Sequence, residues 1–100
     1  MRIGFVQMAP YLDDLQATMH RIDALIADAD GADLLVLPEL CNSGYNFESR
    51  EQARETSEEL GSGVFMRYLE AKCRQHGMHI VSGINERDGD RLFNLSLIHI

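Results

Sequence analysis

Asp33-Leu34-Leu35-Val36-Leu37-Pro38-Glu39, continued by Leu40-Cys41-Asn42-Ser43-Gly44-Tyr45, is the stretch on which the reading of this chain turns. Leu34 to Leu37 form an unbroken apolar run, too short for a helix core, and predict a strand buried on both faces. Pro38 ends the hydrogen-bond ladder because it has no N–H to donate. Glu39 then stands where a buried strand empties into a loop, the rim at which open α/β sheets hold their ligands. A carboxylate there is expected to be partly desolvated, which raises its proton affinity toward that of a general base. The same residue also fits a plain acidic strand end that faces water.

Upstream, Ile3 to Met8 predicts a first strand in the middle of a parallel sheet, apolar on both faces except for Gln7. Gln7, if buried, needs hydrogen-bond partners and is read as fastening a neighbouring loop. After the break at Ala9-Pro10-Tyr11, Asp13 or Asp14 can cap a helix. That helix carries Leu15, Met19, Ile22 and Ile26 at helical spacing, with Leu12 and Leu25 beside them. Gly31 closes it. Strand, amphipathic helix, strand is a βαβ unit with parallel strands and a right-handed crossover.

Downstream, Glu48 to Glu59 alternates charge at helical distances, Glu51 with Arg54 and Arg54 with Glu58, and reads as a solvated surface helix or a loosely held segment, without a partner site. Gly61-Ser62-Gly63 lacks the leading strand and the following lysine of a phosphate-binding loop, so Ser62 reads as an N-cap. The next helix places Phe65, Leu69 and Cys73 on one stripe, with Val64, Tyr68 and Ala71 near it, and stops at Gly77. Met78 to Ile84 predicts a third strand. The polar turn Glu86 to Arg91, centred on Asp88-Gly89, predicts a hairpin into an antiparallel fourth strand running from Leu92 to the last residue.

The chain has 100 residues, which suggests one domain. A net charge of −7 argues against a nucleic-acid surface and against an anionic membrane as partner. No apolar run approaches a membrane span, and Met1-Arg2 leads into a strand rather than a signal peptide. Cys41 and Cys73 make no disulfide framework, so a reducing, cytoplasmic setting is expected. Cys73, His76 and His79 have metal-like spacing, but they fall at a helix end and a strand start, and no metal is expected. Cys41 follows Glu39 closely, yet no neighbouring His or Lys would hold its thiolate, and it reads as a loop cysteine. A rival reading takes Asp13 and Asp14 as the acidic pocket of a flavodoxin-like signalling or ligand-binding module. That reading wants an Asp at the end of the second strand, where this chain has Pro38-Glu39.

Taken together, Ile3-Gly-Phe-Val-Gln-Met8, Leu37-Pro38-Glu39 with Gly44-Tyr45, Ile80-Val-Ser-Gly-Ile84 and Leu92-Phe93-Asn94 resemble the N-terminal part of a carbon–nitrogen hydrolase of the nitrilase superfamily. The resemblance implies an α/β fold that forms part of a four-layer α-β-β-α sandwich, with subunits pairing into homo-oligomers when full length. It implies hydrolysis of small-molecule amides, carbamoyl compounds or nitriles by a Glu, a Lys and a Cys, with no metal or organic cofactor. Glu39 matches the family's Glu and takes the general-base role, receiving the nucleophilic thiol's proton and later activating water. Tyr45 and its loop are candidate substrate contacts. Lys72, Cys41 and Cys73 do not match the family's Lys and Cys, which are expected beyond residue 100. This stretch is therefore expected to be inactive by itself, either as the front portion of a hydrolase or as a silent truncated subunit. Leu95 to Ile100 resembles the translation of a sequencing adaptor, so residues 95–100 are expected not to be native, although their alternation also suits a strand.

Overall fold

The computed structural model describes residues 1–99. Its elements run β1 (Ile3–Phe5), α1 (Leu15–Asp28), β2 (Leu34–Val36), α2 (Arg50–Glu55), α3 (Val64–His76), β3 (His79–Asp88) and β4 (Arg91–His99). The strands make one mixed sheet in the order β1-β2-β3-β4. β1, β2 and β3 are parallel, and β4 returns antiparallel to β3. Crossovers of one hand between successive parallel strands bring their helices to one face. Accordingly, Ile22 and Ile26 of α1 and Phe65, Leu69 and Cys73 of α3 share a core with Leu35, Leu37, Ile80 and Ile84.

Local chemistry sets the helix ends. The Asp14 carboxylate accepts from the Ala17 N–H at 3.0 Å, capping α1. Gly77, at φ 62°, ends α3 in the left-handed conformation that costs glycine least. Asp23 ties α1 to α3 by accepting from the Tyr68 hydroxyl at 2.6 Å and pairing with Lys72 at 2.9 Å. Burial opposes the charge on Asp23, but these two partners hold its carboxyl below the ordinary range.

Several expectations change. β1 is an edge strand, not a central one, and Gln7 is exposed. β2 is buried on one face only: Leu35 is 1% exposed and Val36 38%. The register aligns Phe5, Val36, Val81 and Ile98 in a row across all four strands. That row lies on the face without helices, where Phe5 is 75% and Ile98 63% exposed. The apolar runs anticipate two covered faces, and the described residues cover one. In the hairpin, Asp88 pairs with Arg91, so the turn is Gly89-Asp90 and Glu86 and Arg87 belong to β3. Gly89, at φ 59°, supplies the positive φ that such a turn demands. The fourth strand is present as expected, with Ile100 lying outside the described residues. Among the described residues no helix is long and apolar enough to cross a membrane.

An uncovered apolar row beside an unpaired edge promotes self-association. The isolated chain is expected to elute as oligomers in size-exclusion chromatography. An Ile3→Lys, Phe5→Lys double variant should shift it toward monomer, and a sharp wild-type monomer peak would contradict this.

Candidate active site

The chain does not leave the sheet when β2 ends. The Leu37 N–H donates to the Val81 carbonyl at 2.8 Å, the Gly83 N–H to the Pro38 carbonyl at 3.1 Å, and the Cys41 N–H to the Gly83 carbonyl at 3.0 Å. These bonds press Glu39 onto β3. A Cβ built on Gly83 would lie 2.5 Å from the Glu39 Cα and 2.7 Å from the Leu40 nitrogen, so no larger residue fits there without moving the main chain. Leu40 follows at φ 45°, a left-handed conformation that costs a non-glycine residue roughly 1–2 kcal/mol. Its carbonyl accepts from the Ser43 and Gly44 N–H groups at 3.1 and 2.8 Å, closing the turn that keeps it there. Backbone strain of this kind persists where surroundings over-determine it, often at functional sites.

The Glu39 side chain is exposed. Its Oε1 accepts from the Asn94 Nδ2 at 2.5 Å, a contact spanning 55 residues of sequence. Contrary to the poorly hydrated acid expected, the rim position is present but no described element buries the carboxylate. Tyr45 is 60% exposed in the following loop.

Cys41 lies in the core at 0% exposure. Burial pushes its thiol up to about 12, against a small opposing pull from the Ser82 hydroxyl. It therefore stays protonated at neutral pH and serves packing rather than attack. Next to it, Asn42 was not singled out in the sequence, yet it is 5% exposed and locks the loop to β3. Its Nδ2 donates to the Asn85 carbonyl at 3.1 Å, and its Oδ1 accepts from the Asn85 N–H at 2.8 Å. The available signal is a short amide in the loop that follows a buried strand, where a buried polar group needs its full complement of partners.

A second carboxylate sits where charge spacing along the chain does not place it. Glu58 is 9% exposed, not part of a solvated helix. Its two oxygens accept from the Phe65 and Met66 N–H groups at 3.0 and 3.2 Å. Glu58, rather than Ser62, thus satisfies the start of α3, whose N-cap residue is Gly63. A Cβ on Gly63 would collide with that carboxylate. Arg54, read as a partner of Glu58, instead donates to the Gly89 carbonyl at 2.8 Å in the hairpin turn. Burial raises the proton affinity of Glu58, while its two backbone donors pull it back.

Glu58 lines a cleft of about 450 Å³ together with Asp13, Asp14, Asn42, Gly63 and Arg87. Glu39 is not among its walls. The cleft contains both acids of the flavodoxin-like reading, but Asp14 is occupied as a helix cap and the β3–β4 hairpin stands where another βα unit was needed. Cys73 and His79 border a separate shallow hollow that does not include His76. No group of three potential metal ligands converges among the described residues.

Residues 2–99 match the family described as carbon–nitrogen hydrolase. The chain is 36% identical over 100 residues to a nitrilase of Pyrococcus abyssi, covering 98% of this chain and 38% of that protein. A solved structure from Xanthomonas campestris, described as a CN-hydrolase superfamily protein with an arsenic adduct in its active site, superposes with a TM-score of 0.83 at 25% identity. That alignment covers 98% of this chain and 36% of the other. The solved structure of an N-terminal amidase superposes equally well, TM-score 0.83, at 18% identity over 94% of this chain and 24% of that one, a likeness of fold. The chain spans about a third of the length of the curated relatives it matches.

Two outcomes follow for the chain kept monomeric by the lysine pair in β1. Gly83→Ala must displace Glu39 and is expected to cost about 1–3 kcal/mol in denaturant unfolding, as overpacking does; an unchanged midpoint would contradict the close contact. For Glu58, the folded value lies above the ordinary 4.5, so the folded chain holds this proton more tightly than the unfolded one. The stability it contributes is complete below 4.5 and is lost as pH rises through the folded value. The wild type should therefore lose stability relative to Glu58→Gln across that window, and parallel pH–stability curves would refute the assignment.

Proposed function

This chain belongs to the carbon–nitrogen hydrolase family, and on that footing we propose that it supplies the general-base portion of a Glu-Lys-Cys site. The reaction is hydrolysis of a non-peptide C–N bond in a small amide, carbamoyl compound or nitrile. Glu39 is the base. The observation that carries this reading is its placement: the main chain is set against Gly83 at the carboxyl end of β2, and the carboxylate projects from the strand rim.

In this reading Glu39 takes the proton from a cysteine thiol supplied by the longer enzyme. A thiol at its ordinary pKa is mostly protonated near neutrality and needs such a neighbour. The thiolate attacks the substrate carbon, and a lysine stabilises the negative charge that develops. As the C–N bond of an amide or carbamoyl substrate breaks, Glu39 gives that proton to the departing nitrogen, and, a carboxylate again, it activates the water that releases the acyl group. Tyr45 and its loop contact substrate. The burial that Glu39 lacks comes from the rest of the enzyme. A second sheet packs on the row Phe5, Val36 and Val81, completes a four-layer sandwich, and closes over the acid. Partly excluding water raises the carboxylate's proton affinity at the moment it must act as a base. Two such subunits associate, and a reducing cytoplasm keeps the thiol available.

The isolated chain is expected to release no ammonia from amides or nitriles above background; thiol-dependent turnover by it would contradict the reading. In the full-length enzyme carrying this segment, Glu39→Gln is expected to lower kcat/KM by roughly 10²–10⁴-fold without loss of folding. Wild-type activity in that variant would remove Glu39 from the base role.

A further inference from the structure

We propose that Asn94 is a positioning residue for the Glu39 carboxylate, holding Oε1 so that Oε2 is the oxygen that accepts the thiol proton. This rests on Glu39 being the base. The two residues meet because of the sheet register. Gly83, under the Glu39 main chain, pairs with Ser96 of β4, and Asn85 pairs with Asn94. Alternate residues of a strand share a face, so Asn94 and Ser96 lie on the same side as Gly83 and Asn85. The Asn94 Nδ2 thereby reaches Glu39 Oε1 at 2.5 Å. The main chain of Glu39 is set by β3, and its carboxylate by β4.

The chemistry favours an amide at this position. The terminal torsion of a glutamate is broad and two-fold, so an unheld carboxylate presents either oxygen in either direction. One N–H donor selects an orientation and leaves the lone pairs of the other oxygen vacant. A lysine or arginine here would add a full positive charge, favour the ionised form and weaken the base. An aspartate would repel it. In the step served, the S–H bond breaks, the proton goes to Oε2, and the sulfur electron pair forms the bond to the substrate carbon. Negative charge moves from Glu39 to the substrate heteroatom.

The test uses the full-length enzyme carrying this segment. Asn94→Ala is expected to lower kcat on the order of 10²-fold, the usual cost of about 1 Å misplacement, with KM changed by less than about twofold. Asn94→Asp should be worse than Asn94→Ala, and Asn94→Ser, which keeps a donor, should recover part of the loss. Unchanged kcat in Asn94→Ala, or a raised KM at constant kcat, overturns the proposal; the latter would make Asn94 a substrate contact. Where the variants fail to fold, the wild-type amide signal decides. One Asn94 side-chain proton should be shifted and exchange-protected in NMR spectra and return to ordinary values in Glu39→Leu, and an ordinary signal in the wild type overturns the contact. Full activity in Glu39→Gln marks failure of the base assignment itself, whereas an inactive Glu39→Gln beside a fully active Asn94→Ala marks failure of the positioning role alone.

Discussion

The site depends on the contact between the main chain at Glu39 and the bare Cα of Gly83. No methyl group fits between them. That approach lets the segment after β2 follow β3 by hydrogen bonds on both sides of Pro38, a residue that cannot donate one itself. It also leaves Leu40 in a left-handed conformation, held by the turn that ends at Gly44. The acid is thus placed by backbone geometry before its side chain meets any partner.

Glu39 and Glu58 show how environment separates two identical side chains. Glu58 is buried and accepts from the first N–H groups of α3, so its work is structural. Glu39 is exposed and held by a neutral amide from β4. A carboxylate with two backbone donors is committed. One with a single donor retains an open oxygen, and only the latter suits the proposed proton transfer.

The bare sheet face and the exposure of Glu39 have a common origin. α1 and α3 shield one side of the sheet, and the described residues put nothing on the other. The row from Phe5 to Val81 is as apolar as a core layer, which is what a second sheet would require. Under the proposed function, the layer that covers this row is also the one that dries the acid.

The sequence by itself determined the element order, the parallel βαβ start, the hairpin return, the stripes of α1 and α3, an aspartate cap at Asp13 or Asp14 and the family. These rest on local signals: periodicity, glycine and proline stops, and side-chain caps within a few residues. Only the tertiary structure decided the rest. It put β1 at an edge, buried Asn42 and Glu58, turned Arg54 to the hairpin, sealed Cys41 in the core and brought Asn94 to Glu39. Each depends on groups far apart in sequence, such as the 55 residues between Glu39 and Asn94. Apolar composition states that a face must be covered, but not by which element, and charge spacing along a helix cannot show that a carboxylate has turned inward to meet the start of another.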